Sequence, residues 1–206
     1  GFGHGAAKCN TTGTDNTALG ADAMERVTTG ARNTAVGRLT GKGHTTGNEN
    51  TSIGNKAGCN VTTGSNNVLL GHIAGTDAVK DVTSESHHIV IGNNYSTNAF
   101  IKIDWTVTSD LRDKTEIESV PHGLNFVNQI TPIKYRFKTS RENDTPNGVT
   151  RYGFKAQEIL ALEGDNPVII NNDDEDNLKL TSSHLIPVLV NAIKELKARI
   201  ETLENN

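Results

Sequence analysis

The sequence predicts a β-structured fibre of 17-residue rungs, followed by a small α+β domain that ends in a long helix. Three observations carry this. The tripeptide Thr-Thr-Gly begins at Thr11, Thr28, Thr45 and Thr62, always 17 residues apart. Glycine content and charge both change near residue 109. The last 27 residues show helical apolar spacing without glycine. The expected division is therefore 1–108 for the rungs and 109–206 for the second domain.

Each Thr-Thr-Gly is followed by a matching unit, as in Asn16-Thr-Ala-Leu-Gly, Asn33-Thr-Ala-Val-Gly and Asn50-Thr-Ser-Ile-Gly. Gly20, Gly37, Gly54 and Gly71 share one register, and Gly3 extends it backwards. Repetition at this interval is the signature of stacked rungs. Each unit reads as a short strand, a glycine turn, a small residue (Ala23, Ala57, Ala74) and a Thr/Gly turn. Stacking would align Leu19, Val36, Ile53 and Leu70 in a column and Asn16, Asn33, Asn50 and Asn67 in a hydrogen-bonded ladder. The patterns of 87–92 and 99–107 read as strands that close this half.

Composition narrows the function. Residues 1–108 hold 16 of the 20 glycines and balance 8 Lys/Arg against 8 Asp/Glu, so the net charge of −4 belongs to the second half. Aromatic residues are 4%. A monomeric core in the first half would be thin, which points to oligomerisation. Dispersed basic residues and a negative net charge argue against nucleic-acid binding. No apolar run is long enough to span a membrane. Cys9 and Cys59 read as unpaired thiols of a protein made in a reducing compartment. His87 and His88 are adjacent, and neighbours on a strand face opposite ways, so no metal site is expected. No cofactor is expected either. The first half reads equally as a passive spacer or as a surface that touches a receptor.

In the second half, 123–130 has the spacing of a short amphipathic helix. Residues 131–138 alternate as a strand, with Ile133, Tyr135 and Phe137 on one face. Residues 140–148 are a polar turn, and 151–162 a strand entering a helix that Gly164 ends. Residues 166–170 are a short strand, and the acidic 172–177 a solvated loop. The final helix would be capped by Ser183, with Pro187 in its first turn. Leu189, Ile193, Leu196, Ile200 and Leu203 are spaced 4, 3, 4, 3, a short heptad seam suited to self-association.

The stretch 106–117, Thr-Val-Thr-Ser-Asp-Leu-Arg-Asp-Lys-Thr-Glu-Ile, concentrates charge behind Ser109. By itself it reads as a capped short helix with solvated charges. Taken with Gly153-Phe-Lys-Ala-Gln-Glu-Ile and the C-terminal helix, it resembles a known family. Residues 109–206 are similar to the C-terminal intramolecular chaperone and auto-processing domain of phage tail spikes and tail fibres. Endosialidase tail spikes are the familiar example, and a membrane-bound myelin transcription factor has a related domain. The rungs resemble those of trimeric phage fibres and trimeric bacterial adhesin heads. Together these resemblances imply a β-repeat fibrous trimer whose α+β domain ends in a coiled-coil helix. They imply a place in a virion tail, made in the host cytoplasm, with a host cell-surface receptor or glycan met by the first half.

The resemblance also implies a serine–lysine dyad that cuts the chain once at Thr108–Ser109, with Ser109 as nucleophile and Lys114 as base. The Ser109 hydroxyl lies within reach of the Thr108 carbonyl, so attack needs no diffusive encounter. An ordinary lysine amine, with a pKa of about 10.4, is neutral in roughly one molecule in 2,500 at pH 7. Such a base must therefore work in a closed, desolvated site. A nearby Arg112 would help, whereas Asp110 and Asp113 would oppose. Asp110, Arg112, Gln157 and Glu158 are candidates for supporting the site, and His122 and His184 are alternative bases. A non-catalytic fibre tip or adhesin with a retained C-terminal cap is the competing expectation. A glycan-degrading spike lacks a convincing carboxylate pair.

Overall fold

The computed structural model describes residues 1–77 and 79–205. It divides into two compact units, Gly1–Thr97 and Asn98–Asn206.

The first unit is a β-solenoid. Its strands β1 (Thr17–Leu19), β2 (Thr34–Val36), β3 (Thr51–Ile53), β4 (Val68–Leu70) and β7 (Ile89–Ile91) form one parallel sheet in chain order. The register is that of the repeat: Thr17 pairs Thr34, which pairs Thr51. The last step, from Val68 to Ile89, takes 21 residues. The four extra residues sit at one corner, where β5 (Thr76–Asp77) and β6 (Lys80–Asp81) make a small antiparallel hairpin. Phe2 bridges Leu19 and extends the sheet backwards.

A three-residue strand does not persist alone, so each rung depends on its neighbours. The glycine column shows how closely they approach. Gly20 and Gly37 have φ of 134° and 130°, a region L-residues rarely enter. A Cβ on Gly20 would lie 2.5 Å from the Gly37 carbonyl oxygen, and one on Gly37 lies 2.6 Å from that of Gly54. The asparagine ladder is also present. Asn50 Nδ2 donates to Asn33 Oδ1 at 3.1 Å and to the Gly64 carbonyl at 2.8 Å, and Asn67 repeats the pattern on Asn50. Asn33, Asn50 and Asn67 are fully buried, with these amide bonds inside the rungs.

The aliphatic column forms, but it points outward. Ala18, Ala35, Ser52, Leu69 and Val90 face in, whereas Leu19, Val36, Ile53, Leu70 and Ile91 face out and are half-buried or exposed. The interior is lined by small residues and narrow valines such as Val27, Val61 and Val82. It is tight: a Cβ on Gly58 or Gly75 would lie 2.7 or 2.8 Å from the Leu69 side chain. His44 takes the place of those valines in its own rung. It is fully buried, and neither ring nitrogen has a hydrogen-bond partner.

The second unit has a compact core under a long helix. Helix α1 (Leu124–Val127) packs against α3 (Leu185–Glu204), and the Glu195 carboxylate accepts the Leu124 N–H at 3.0 Å. Strands β8 (Ile133–Lys138) and β9 (Pro146–Gly153) form an antiparallel hairpin with an irregularity between Tyr135 and Phe137. Helix α2 (Ala156–Glu163) ends at Gly164, whose φ is 73°. Strands β10 (Ile170–Asn171) and β11 (Lys179–Leu180) pair antiparallel. Phe126, Ile159, Ile169, Ile170, Leu185 and Val188 make the core.

Three expectations change here. The strand expected over 99–107 does not form, because no neighbouring strand supplies its hydrogen bonds. The strand of 166–170 shrinks to its end, because the Glu163 carboxylate takes the N–H groups of Val168, Ile169 and Ile170. Ser183 does not cap α3: it lies in a 3-10 turn, Ser182–His184, and His184 precedes the helix. The α3 heptad seam is exposed from Leu189 to Leu203, and the helix instead buries Leu185, Val188 and Ala192.

Candidate functional site

Residues 98–121 are exposed without exception. Within them one short 3-10 turn, Leu111–Asp113, organises the stretch around Ser109. Asp110 caps that turn by accepting the Arg112 N–H at 2.9 Å. The Arg112 guanidinium returns to the same carboxylate, Nη2 to Oδ2 at 2.6 Å and Nε to Oδ1 at 3.0 Å. This guanidinium holds the Asp110 carboxyl below the usual carboxylate range, and the carboxylate raises the guanidinium in return. The two charges largely cancel locally, so Arg112 is committed to Asp110. The sequence reading missed this fork, although an acidic cap two residues before an arginine is its signal.

The turn reverses the chain by one step. The Lys114 N–H closes it on the Leu111 carbonyl at 3.2 Å, and Lys114 itself is extended. Its side chain can then run back along the chain. Lys114 Nζ donates to Ser109 Oγ at 2.8 Å. The Ser109 hydroxyl therefore faces an amine, and the capping role falls to Asp110 alone. Thr108 lies immediately upstream, exposed and without regular structure.

The other candidates lie apart from this pair. Glu158 accepts the Thr131 N–H at 3.2 Å and the Thr131 hydroxyl at 3.0 Å, tying α2 to the start of the hairpin. Gln157 is exposed on the first turn of α2. His122 stacks on Phe126 with ring centroids 4.2 Å apart, and His184 Nδ1 lies 2.8 Å from the Val168 carbonyl. Both histidines line a cavity of about 630 Å3 with Val120, Glu163 and Val188. Among the described residues, no group of His, Cys, Asp or Glu is placed to hold a metal ion. No described helix is long and apolar enough to cross a membrane.

A scan against family models finds one match, described as chaperone of endosialidase, over residues 109–166. This match supports an endosialidase-type chaperone domain within the second unit. The match begins at Ser109, the residue that Lys114 contacts. The matched family is one of self-cleaving peptidase domains. The match ends at residue 166, so β10, β11 and α3 lie beyond it. Neither the curated proteins nor the solved structures yield a match.

Proposed function

We propose that this chain is the distal part of a phage tail fibre or spike, and that its C-terminal unit helps three copies to assemble and then cuts itself off at Thr108–Ser109. The observation that carries the cleavage reading is the 2.8 Å contact between Lys114 Nζ and Ser109 Oγ at the first residue of the chaperone match.

In this reading Lys114 accepts the hydroxyl proton and Ser109 Oγ attacks the Thr108 carbonyl carbon. The Thr108–Ser109 C–N bond breaks as the C–O bond forms, and the amino group of Ser109 leaves with a proton. Water then hydrolyses the ester, leaving a Thr108 carboxylate and the free Ser109 hydroxyl. A lysine acts as such a base only where water is excluded. Ser109 and Lys114 are both exposed in the single chain, so cleavage would wait until other copies cover the stretch. Cutting would then report completed assembly. Removing the domain afterwards would leave a fibre whose durability is kinetic. The solenoid would serve in attachment to a host surface, on a virion tail.

The test is the denatured intact mass of the wild type beside Ser109→Ala. We expect two wild-type fragments meeting at Thr108/Ser109 and one whole chain in the variant. Lys114→Met should also stay whole. A whole wild-type chain in an assembled sample would overturn autoproteolysis and leave a permanent cap.

A further inference from the structure

We propose that the outward face of the five-stranded sheet is where the solenoids of separate copies of this chain meet, parallel and in register. We further propose that this contact closes from the end near residue 97 towards Gly1. The proposal rests on the multi-chain reading above and names the surface that reading needs.

The face consists of two columns. One is aliphatic throughout, running from Leu19 to Ile91 with one residue per strand. The other reads Thr17, Thr34, Thr51, Val68, Ile89. None of these ten positions carries a charge. Ile89 and Ile91 are 73% and 62% exposed. The ion pairs seen in this unit, Arg32–Glu49, Lys42–Glu25, Lys80–Glu85 and His4–Asp22, lie at other positions of the rung.

Three arguments identify the occupant as another copy. The first is pitch. The column offers one aliphatic about every 4.8 Å over five strands, and a parallel solenoid of the same sequence has that spacing by construction. The second is charge. An uncharged face complements another uncharged face, and it gives an ionic partner nothing to pair with; the strand N–H and C=O groups are used within the sheet.

The third argument is area. Five strands about 4.8 Å apart and three residues of about 3.3 Å give roughly 240 Å2. A standard stable interface buries about 800 Å2 a side. The face therefore does not gather free chains by itself. It suits chains already held together, where the effective concentration is high. Gathering chains is the task proposed above for the C-terminal unit.

Direction follows from the second column. Its threonines give way to Val68 and Ile89 in the last two strands, so the apolar gain per rung is largest at the end that leads in sequence to the second unit. Contact starts there and adds one rung at a time.

The test places single cysteines in the full chain after Cys9→Ser and Cys59→Ser. On mild oxidation, Ile53→Cys should give a disulfide-linked dimer at least about tenfold faster than Thr46→Cys, which is exposed but off this face. During assembly, Leu70→Cys should cross-link before Leu19→Cys. Light scattering on the same samples separates the outcomes. An oligomer in which Ile53→Cys and Thr46→Cys react alike overturns the face, and Leu19→Cys reacting first overturns the direction. A monomer throughout overturns the multi-chain reading along with both.

Discussion

In the solenoid, the side-chain amides of Asn33 and Asn50 are buried and bonded to the rungs on either side. In the second unit, residues 98–121 and 193–205 bury nothing, although they carry Ile103, Trp105, Val107, Ile193, Ile200 and Leu203. The contrast separates two sources of order. A rung is ordered by the rung before it, and its polar groups are satisfied within one chain. The exposed segments have apolar alternation and heptad spacing, yet their large apolar side chains stay exposed although polar ties such as Leu124 to Glu195 and Asn191 to Val120 hold parts of them to the unit. One region is ordered within its own chain, and the other is the surface that the proposed assembly would use.

The comparison is broken most forcefully at the ladder. Asn50→Ala leaves the Gly64 carbonyl and the Asn67 backbone N–H without their bonds inside the solenoid, and takes from Asn67 Nδ2 one of its two bonds. We expect a loss of about 3 kcal/mol or more, read by chemical denaturation of the solenoid signal. A loss below about 1 kcal/mol would mean that the rungs do not depend on the ladder.

His44 is the flaw in the same interior, and its effect depends on pH. Burial pushes its imidazole down to about 4 from the usual 6.5. A Cβ on Gly41 would lie 3.2 Å from the His44 ring and 3.3 Å from the Met24 side chain, and among the described residues no other ionisable residue of the solenoid is fully buried. Above pH 6.5 both folded and unfolded states are neutral here. As pH falls from 6.5 to about 4, the unfolded chain takes up the proton first and stability drops; below that the difference is constant. The drop is about 3 kcal/mol. His44→Val, which copies Val27 and Val61, should abolish that part of the pH profile. An unchanged slope between pH 6.5 and 4 would assign the acid sensitivity elsewhere.

The smallest effect on folding should come from the exposed seam. Leu196→Asp removes no buried contact, so the stability of the unit should change by less than about 0.5 kcal/mol. Its effect should appear in assembly, as a lower yield of oligomer by light scattering. Normal yield would show that α3 does not join copies.

The sequence made the rungs legible because their period is independent of packing detail. The asparagine ladder and the glycine column followed directly from it. Which aliphatics face inward did not follow. Ala18 and Leu19 are both apolar and adjacent, and the larger would ordinarily be buried. The narrow bore over Gly58 and Gly75 reverses that choice. The strand within 87–92 was legible, but its place as a fifth rung was not, because β7 arrives 21 residues after β4 instead of 17. At the site, Ser109 and Lys114 were legible from the resemblance. The Asp110–Arg112 fork was not: an acidic cap two residues before an arginine signals it, but Asp113 and Lys114 beside it offer competing pairings.

The hairpin at the fifth rung has one more consequence. Four additional residues emerge at a single corner, and Val68, Leu69 and Leu70 still meet Ile89, Val90 and Ile91 in register. The scaffold therefore separates its repeat from what projects at that corner. A lineage, or an engineer, can vary the decoration there without recomposing the column beneath it.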